Sequence, residues 1–345
     1  MKTSSKLSGH FGVSMLAALI FISGCSQLPV EDTKTLMGTQ VIVTIYDYDK
    51  EQINSDQLQS VLDSSFREIK RIQSLAQWRQ LKNLNDWAGK RPAYIGNELI
   101  TLIDDAYLLS VDTHGAFRPD MGPLVKLWAI GTDSARIPAY WEIEDAQDVV
   151  FDTYFNVVDS ATAYLEPLGA SLDLGGVAKG YAVDRACEVL KELGVTAGMV
   201  WAGGDLKVFG HKPDGEPWRI AVRHPRDPEQ FAAVLEIRDE MAVATSGDYE
   251  RYFEINGGRY HHIINPETGY PGLKSISATV LAERCMDADA YATAFFVLGP
   301  EEGIRMSSQF DLPAMIMAER DGEIVMKETS SFRRLRGDLD AVVEQ

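Results

Sequence analysis

The segment Leu172-Asp-Leu-Gly-Gly-Val-Ala-Lys-Gly-Tyr-Ala-Val-Asp184 lies in the middle of this 345-residue chain and is its most informative stretch. Its pattern predicts a strand, then a glycine-rich turn, then a helix with Lys179 in its first turn. Glycines let a ligand approach the backbone, a helix start offers free N–H groups, and a lysine supplies positive charge. The segment therefore predicts a phosphate site, although an ordinary turn with a solvated lysine has the same pattern. Its spacing is neither that of a Walker A loop nor that of a dinucleotide-binding GxGxxG motif.

The flanking sequence predicts short strands separated by turn signals, together with a smaller number of helices. Residues 132–150 are interpreted as a linking or inserted stretch. Because strands outnumber helices and several are joined as hairpins, we predict an α+β fold with antiparallel sheets and packed helices. The predicted helices are residues 55–77, 100–113, 179–193, 288–298 and 300–309. The predicted strands are residues 41–45, 155–158, 164–165, 171–172, 198–202, 218–222, 232–237, 241–244, 277–281, 314–317 and 323–326.

The N-terminus has the pattern of an export signal. Lys2 and Lys6 precede the apolar run Met15–Ile22, which is shorter than the about 20 residues of a membrane span. Small residues then lead to Cys25, in a segment that resembles a bacterial lipobox, whose cysteine is acylated. A plain secretory signal with an incidental cysteine is the alternative. We interpret residues 1–24 as a lipoprotein signal peptide, 25–35 as the lipidated cysteine and a polar tether, and 36–345 as the folded domain.

The chain is strongly acidic, and its charge limits its partners. The net charge is −18, and removal of residues 1–24 deletes two lysines and no acidic residue, which gives −20. Such a surface repels nucleic acid and anionic lipid headgroups, so no nucleic-acid partner is expected. A phosphate site must then carry its own positive charge or a metal. Beyond Cys25, Cys187 and Cys285 are interpreted as buried free thiols, although the sequence leaves a disulfide between them open.

Two further segments carry side chains suited to catalysis. In Tyr260–Pro271, His261 and His262 are consecutive, so on a strand they point to opposite faces and cannot share one metal. If a helix begins near residue 288, Asp289 and Thr293 lie one turn apart, and their oxygen atoms suit Mg²⁺. Each segment also has an ordinary structural interpretation, as a buried core histidine or as a helix cap.

The order of these segments is more specific than any one of them. From about Leu36 to Met326 the chain resembles the ApbE family, the FAD:protein FMN transferases. This resemblance implies an ApbE-like, T-fold-like mixed domain. The matching segments are Met37–Thr39, Gly122–Trp128, Asp173–Asp184, Gly203–Asp205, Ala244–Tyr249, His262–Gly269, and Ala288–Asp289 with Thr293.

The resemblance also implies an activity and a location. Such enzymes split FAD at its pyrophosphate, attach FMN through a phosphoester to Thr or Ser of a target protein, and release AMP. Their targets are typically redox-pump subunits, such as components of the Nqr or Rnf type. They are lipid-anchored at the periplasmic side of the inner membrane. The outer membrane stays open here because Ser26, rather than Asp, follows Cys25.

Residue roles follow from the resemblance by position. Asp289, Thr293 and the carbonyl group of Gly176 would hold Mg²⁺, and His262 and Asp289 would be the catalytic residues. Arg118 stands where many relatives have Asp, and Trp78 is aligned loosely with a Tyr that contacts flavin. The residues expected to line the FAD site are Met37, Trp78, Ala116, Phe117, Arg118, Asp173, Lys179 and Ile264.

Two alternative functions share the same motifs. A Mg²⁺-dependent FAD pyrophosphatase would release FMN and AMP to water, and the motifs do not separate it from a transferase. A non-catalytic flavin-binding lipoprotein is the other alternative. The presence of both Asp289 and Thr293 argues against it, because binding alone does not require that pair.

Overall fold

The computed structural model describes residues 28–338, apart from the side chains of Gln77 and Trp78. The predicted signal peptide and the lipidation site Cys25 lie outside this range. Every strand pair within it is antiparallel. The strands are β1 Val30–Leu36, β2 Thr39–Tyr48, β3 Ala93–Tyr94, β4 Tyr154–Asp159, β5 Thr162–Glu166, β6 Val195–Ala202, β7 Asp205–Phe209, β8 Trp218–Arg223, β9 Phe231–Ile237, β10 Met241–Gly247, β11 Tyr252–Ile255, β12 Gly258–His261, β13 Ser277–Ala282, β14 Ala314–Arg320 and β15 Glu323–Glu328.

The helices pack between and around these strands. A 3₁₀ turn at Ser55–Gln57 precedes the first helix, and a π-helical turn at Ser74–Trp78 follows it. The α-helices are α1 Leu58–Gln73, α2 Gln80–Asp86, α3 Asn97–Asp112, α4 Gly122–Trp128, α5 Tyr140–Phe151, α6 Ala178–Glu192, α7 Cys285–Gln309 and α8 Ser330–Leu335.

An eight-stranded sheet with the order β1-β2-β6-β7-β10-β13-β14-β15 forms the centre of the fold. Its strands alternate between two cores, as period-2 strands buried on both faces must. In β10, Ala242 and Ala244 belong to the cluster that also contains residues of α1, α6 and α7, whereas Val243 belongs to the cluster that contains the β8–β9 hairpin. A third cluster joins α4 and α5 to the segment around Ile264. This layering confirms the predicted α+β class.

The longest helix, α7, changes direction near its middle. Gly299 has a φ of 87°, outside the helical region, and Pro300 follows it. Glycine tolerates this conformation, and the missing N–H of proline suits the start of a new helical segment. The sequence predicts two helices here, over residues 288–298 and 300–309, and both are confirmed as the two parts of α7.

Three predictions about local structure are wrong. Residues 132–150 are not merely a linking stretch, because Tyr140–Phe151 forms α5, with Ile143 and Val150 buried. Part of the predicted tether is folded, since Val30–Leu36 forms β1 and pairs along its whole length with β2. The predicted strand at residues 171–172 does not join a sheet. There the Leu172 N–H donates to the Asn85 side chain, and the Leu172 carbonyl accepts a hydrogen bond from it.

Among residues 28–338, none of the helices has the length and apolar character needed to cross a bilayer. Cys187 and Cys285 are both buried and unpaired. The prediction of buried free thiols is therefore confirmed.

Candidate active site

A lysine and two carboxylates from three different elements meet at the start of α6. Lys179 Nζ lies 2.7 Å from Asp205 Oδ2, on β7, and 3.2 Å from Asp289 Oδ2, on α7. The Gly180 N–H also donates to Asp289 Oδ2, at 3.3 Å. The two carboxylate side chains are only 2% and 5% exposed, whereas the lysine side chain is 25% exposed. The lysine therefore forms the accessible side of a buried charge cluster.

The charges of this cluster do not cancel. Burial opposes the charged form of Lys179, but the attraction of Asp205 and Asp289 outweighs it and raises the pKa of the lysine. Burial, together with the negative charge of Asp289, raises the pKa of Asp205 well above its usual range. Two carboxylates face one ammonium group, so a further cation beside them would favour the ionised form of both.

An oxygen-rich surface adjoins the cluster. A Cβ atom placed on Gly176 would lie 3.4 Å from Thr293 Oγ1 and 3.1 Å from Phe117 Cε2. Thr293 Oγ1 is in turn 3.2 Å from Ser246 Oγ, at the end of β10. Because Thr293 follows Asp289 by one helical turn, the backbone of Gly176, a hydroxyl group and a carboxylate come together at one place.

The chemistry of this donor set fits Mg²⁺. Magnesium prefers oxygen ligands, and proteins often supply one or two carboxylates while phosphate and water oxygens complete the coordination. Within the described residues, no group of three or more His, Cys, Asp or Glu side chains is arranged to hold a metal ion. The roles of Asp289, Thr293 and the Gly176 carbonyl as magnesium ligands stay predictions.

The two histidines have different environments, because His261 ends β12 and His262 lies just beyond the strand. His261 is buried, and its Nε2 lies 2.7 Å from the carbonyl oxygen of Gly272. His262 is half-buried and its Nδ1 lies 3.3 Å from the carbonyl oxygen of Arg251. Nδ1–H donates to that carbonyl in the fitting tautomer, so Nε2 keeps the lone pair that can accept a proton.

Burial lowers the pKa of His262 to about 3, and the positive charges of Arg251 and Lys179 lower it in the same direction. The imidazole is therefore neutral at physiological pH. The role of His262 as the acid or base stays a prediction. A neutral imidazole that faces cationic groups is suited to accept a proton once an anionic substrate offsets those charges.

Glu250 lies beside the turn that leads to Asp205. Its Oε1 would lie 3.4 Å from a Cβ placed on Gly204, in the turn that leads to Asp205. Although Glu250 is an exposed residue, desolvation of its carboxylate raises its pKa, the charge of Lys179 opposes this shift, and the charge of Asp289 acts in the same direction. A third carboxylate therefore contributes to the negative charge around Lys179.

The remaining predicted FAD residues lie in turns, and two of them, Phe117 and Asp173, contact the Gly175–Gly176 turn. Met37 is buried in the β1–β2 turn with a φ of 53°. Ala116 and Phe117 follow α3, and Phe117 contacts the Gly176 turn. The Asp173 Oδ1 atom accepts a 2.7 Å hydrogen bond from the Gly175 N–H and so shapes that turn. The side chain of Trp78 lies outside the described part of the chain, and its role stays a prediction.

Two residues predicted to line the FAD site, Arg118 and Ile264, make contacts within the protein. Arg118 forms a two-point hydrogen bond with the buried Asp120, at 2.7 and 2.9 Å, and donates to the Val150 carbonyl. These contacts hold its guanidinium group within the protein. Ile264 is buried in the core that joins α4 and α5. The role of Ile264 at the FAD site stays a prediction.

Asp205, Glu250 and Ser246 also lie in this site, although no local sequence pattern assigns them a role. Asp205 and Ser246 do belong to segments that carry the family resemblance. Their proximity to Lys179 and Thr293 depends on the pairing of β7 with β10 and on the packing of α7, which no local pattern reveals.

Comparisons with known proteins agree with this architecture. A family model described as the ApbE family matches residues 37–316. A relative from Vibrio cholerae, named FAD:protein FMN transferase, is 31% identical over 326 residues, which are 92% of this chain and 96% of the relative. A relative of the same name from Treponema pallidum is 35% identical over 246 residues, which are 67% of this chain and 68% of that one.

Solved structures give the same result. The ApbE protein of Thermotoga maritima has a TM-score of 0.81 at 30% identity, and the match covers 90% of this chain and all of that one. The flavinyl transferase ApbE of Pseudomonas stutzeri, in its apo form, has a TM-score of 0.77 at 28% identity, with 90% and 98% covered. Fold and relatives thus define an enzyme of the flavin-transferase class. The chain belongs to the ApbE family, as the sequence predicts.

Proposed function

We propose that this protein is a Mg²⁺-dependent FAD:protein FMN transferase that joins FMN through a phosphoester to a Thr or Ser of a target protein. The observation that carries the proposal is the buried cluster of Lys179, Asp205 and Asp289 beside the Gly176 turn and Thr293. It combines a glycine-rich turn at a helix start with two carboxylates beside one ammonium group, an arrangement that a bound cation would stabilise. The names of the relatives support flavin transfer as the reaction.

In this proposal Asp289, Thr293 and the Gly176 carbonyl hold Mg²⁺, which would neutralise the pyrophosphate charge and stabilise the charge of the transition state. Lys179 donates from the accessible side of the cluster to a phosphate oxygen and orients the pyrophosphate. Phosphoryl transfer depends mainly on such positioning and charge stabilisation. The proposed reaction accordingly uses no protein side chain as a nucleophile.

The proposed group transfer requires one group that accepts the hydroxyl proton of the target residue. The hydroxyl oxygen of the target Thr or Ser attacks the FMN phosphorus, the bond from that phosphorus to the bridging oxygen breaks, and AMP leaves with that oxygen. His262 Nε2 accepts the hydroxyl proton. The anionic pyrophosphate would offset the charges of Arg251 and Lys179, and so would raise the pKa of His262 towards the range of an effective base.

We further propose that Cys25 is lipidated and holds the enzyme at the periplasmic side of the inner membrane, where a redox-pump subunit of the Nqr or Rnf type would be its target. The signal-like pattern of residues 1–24 supports this. Cells grown with labelled palmitate should yield a labelled protein, and the Cys25→Ser variant should not. Equal labelling of both would contradict the anchor.

The activity is tested directly by incubating the full chain with FAD, Mg²⁺ and a threonine-bearing domain of a periplasmic redox subunit. Flavin fluorescence on the acceptor band of a denaturing gel, absent in EDTA, is the expected result. A dark acceptor with FMN and AMP accumulating would instead identify a pyrophosphatase. Tight FAD binding without turnover would identify a binding protein. An acceptor whose threonine is replaced by valine is the matched control.

A further inference from the structure

A second charge cluster lies behind the active site, between the same three elements. Asp184, on α6, accepts hydrogen bonds at 2.9 and 3.0 Å from the backbone N–H groups of Cys285 and Met286, the first two residues of α7. Lys207, on β7, donates to Asp184 Oδ1 at 3.0 Å. All of these groups are buried.

The two clusters form a pair of rungs between α6 and β7, with opposite polarity. In one rung Lys179 of α6 meets Asp205 of β7, and in the other Asp184 of α6 meets Lys207 of β7. Asp205 and Lys207 are two residues apart on one strand and therefore point to the same face. Each rung also includes α7, through Asp289 in the first and through the helix start in the second.

The second rung fixes the position of α7 along and around its own axis. The first N–H groups of a helix have no partner within the helix, and a carboxylate that accepts two of them holds the helix end at a defined place. Gly180 allows the close approach that this requires, because a Cβ there would lie 2.3 Å from the Cys285 carbonyl oxygen. Asp289 is one turn beyond Cys285, so its carboxylate moves with that helix end.

We propose that Asp184, supported by Lys207, is a positioning residue for the cation-binding carboxylate Asp289. The inference rests on the proposed function, because it concerns the carboxylate that the Mg²⁺ site would use. It assigns to the second rung a role in cation affinity and not in flavin binding. Groups that orient a metal ligand typically change metal affinity when they are lost, even though they never touch the metal.

The test uses the full chain with the conservative variant Asp184→Asn, which keeps one acceptor oxygen but loses the charge and the second acceptor. Mn²⁺ binding, followed by the EPR signal of the unbound ion, should weaken about 10-fold. FAD binding in EDTA, followed by flavin fluorescence, should stay within twofold of the wild type. FMN transfer should fall at limiting Mg²⁺ and recover at saturating Mg²⁺.

Lys207→Met is the second variant, and it should weaken Mn²⁺ binding in the same direction because Asp184 loses its buried cation. Glu188→Gln is the matched control. Glu188 is an exposed carboxylate on α6, one turn beyond Asp184, and its ion pair with Arg185 lies at the surface. This control should bind Mn²⁺ as the wild type does.

Asp289→Asn separates failure of this inference from failure of the proposed site. If Asp289→Asn loses Mn²⁺ binding while Asp184→Asn and Lys207→Met retain wild-type affinity and merely melt at lower temperature, the positioning role is overturned and the cation site stands. If Asp289→Asn itself binds Mn²⁺ normally, the proposed cation site is wrong, and the inference falls with it.

Discussion

The exchange Lys179→Met tests how the charges of the active site are balanced. Methionine fills similar space but leaves Asp205 and Asp289 buried without their ammonium group, at 2% and 5% side-chain exposure. Loss of one partner from a buried ion pair typically costs about 3–5 kcal/mol, because the remaining charge is uncompensated. We expect a loss of that size in the free energy of unfolding at pH 7.5 in EDTA.

The loss of unfolding free energy in Lys179→Met should depend on pH, and the titration of Asp205 sets the direction of that dependence. Burial and the charge of Asp289 raise the folded-state pKa of Asp205 above its unfolded value, and removal of Lys179 raises it further. A group whose folded pKa is raised stabilises the fold at low pH, and this contribution is lost as pH rises through the folded pKa. The deficit of the variant should therefore shrink on acidification. It should change by up to about 1.4 kcal/mol per pH unit where Asp205 titrates in the variant alone.

The assay is urea unfolding followed by tryptophan fluorescence at pH 5.5, 6.5 and 7.5, with Lys82→Met as the control. Lys82 pairs with Asp86 on the surface of α2, so its replacement should cost less than about 0.5 kcal/mol. Mg²⁺ at ten times its dissociation constant should restore about 1.4 kcal/mol to the Lys179 variant. A Lys179→Met deficit no larger than that of the control, or one that is constant with pH, would refute this account of the cluster.

Three further outcomes are expected. Asp289→Asn should lower FMN transfer at least about 100-fold while circular dichroism stays unchanged, because a transition-state charge loses its support; full activity would remove the cation assignment. His262→Gln should lower the single-turnover transfer rate by about 10²–10⁴ with FAD affinity unchanged, as expected for loss of a proton acceptor; an unaltered rate would exclude His262 as the base. Arg226→Met breaks the two 2.7 Å hydrogen bonds to the buried Asp248, so the free energy of unfolding in urea should fall by about 2 kcal/mol. The control Arg305→Met removes an exposed helical ion pair and should have little effect on the free energy of unfolding.

The sequence predicts most of the elements because their hydrophobic patterns are strong. Its two main errors have physical causes. In α5, exposed Trp141 and Phe151 interrupt the apolar face formed by Ile143 and Val150, so the segment does not read as an amphipathic helix. β1 alternates between exposed and half-buried residues as an edge strand of the sheet, and without a fully buried face it resembles a polar tether.

The site shows a similar division. Lys179, Asp289 and Thr293 can be found from sequence because a glycine-rich turn and a one-turn helical spacing mark them. The role of Asp205 cannot be found in this way, since its proximity to Lys179 depends on which strand lies beside β10 and on how deeply the hairpin turn is buried. The engagement of Arg118 by Asp120 is likewise a matter of tertiary contacts.

The position of the site within the large sheet has a consequence for motion. β7 and β10, which carry Asp205 and Ser246, are the fourth and fifth of its eight strands. Strands in the middle of a sheet open only when the whole domain unfolds, so their amide hydrogens should exchange with solvent last, and those at the outer edges of β1 and β15 first. The side of the active site formed by β7 and β10 should therefore open only when the whole domain unfolds. The turn after β10, with the exposed residues Glu250 and Arg251, lies outside the ladder of the large sheet, so its amide hydrogens should exchange before those of β7 and β10.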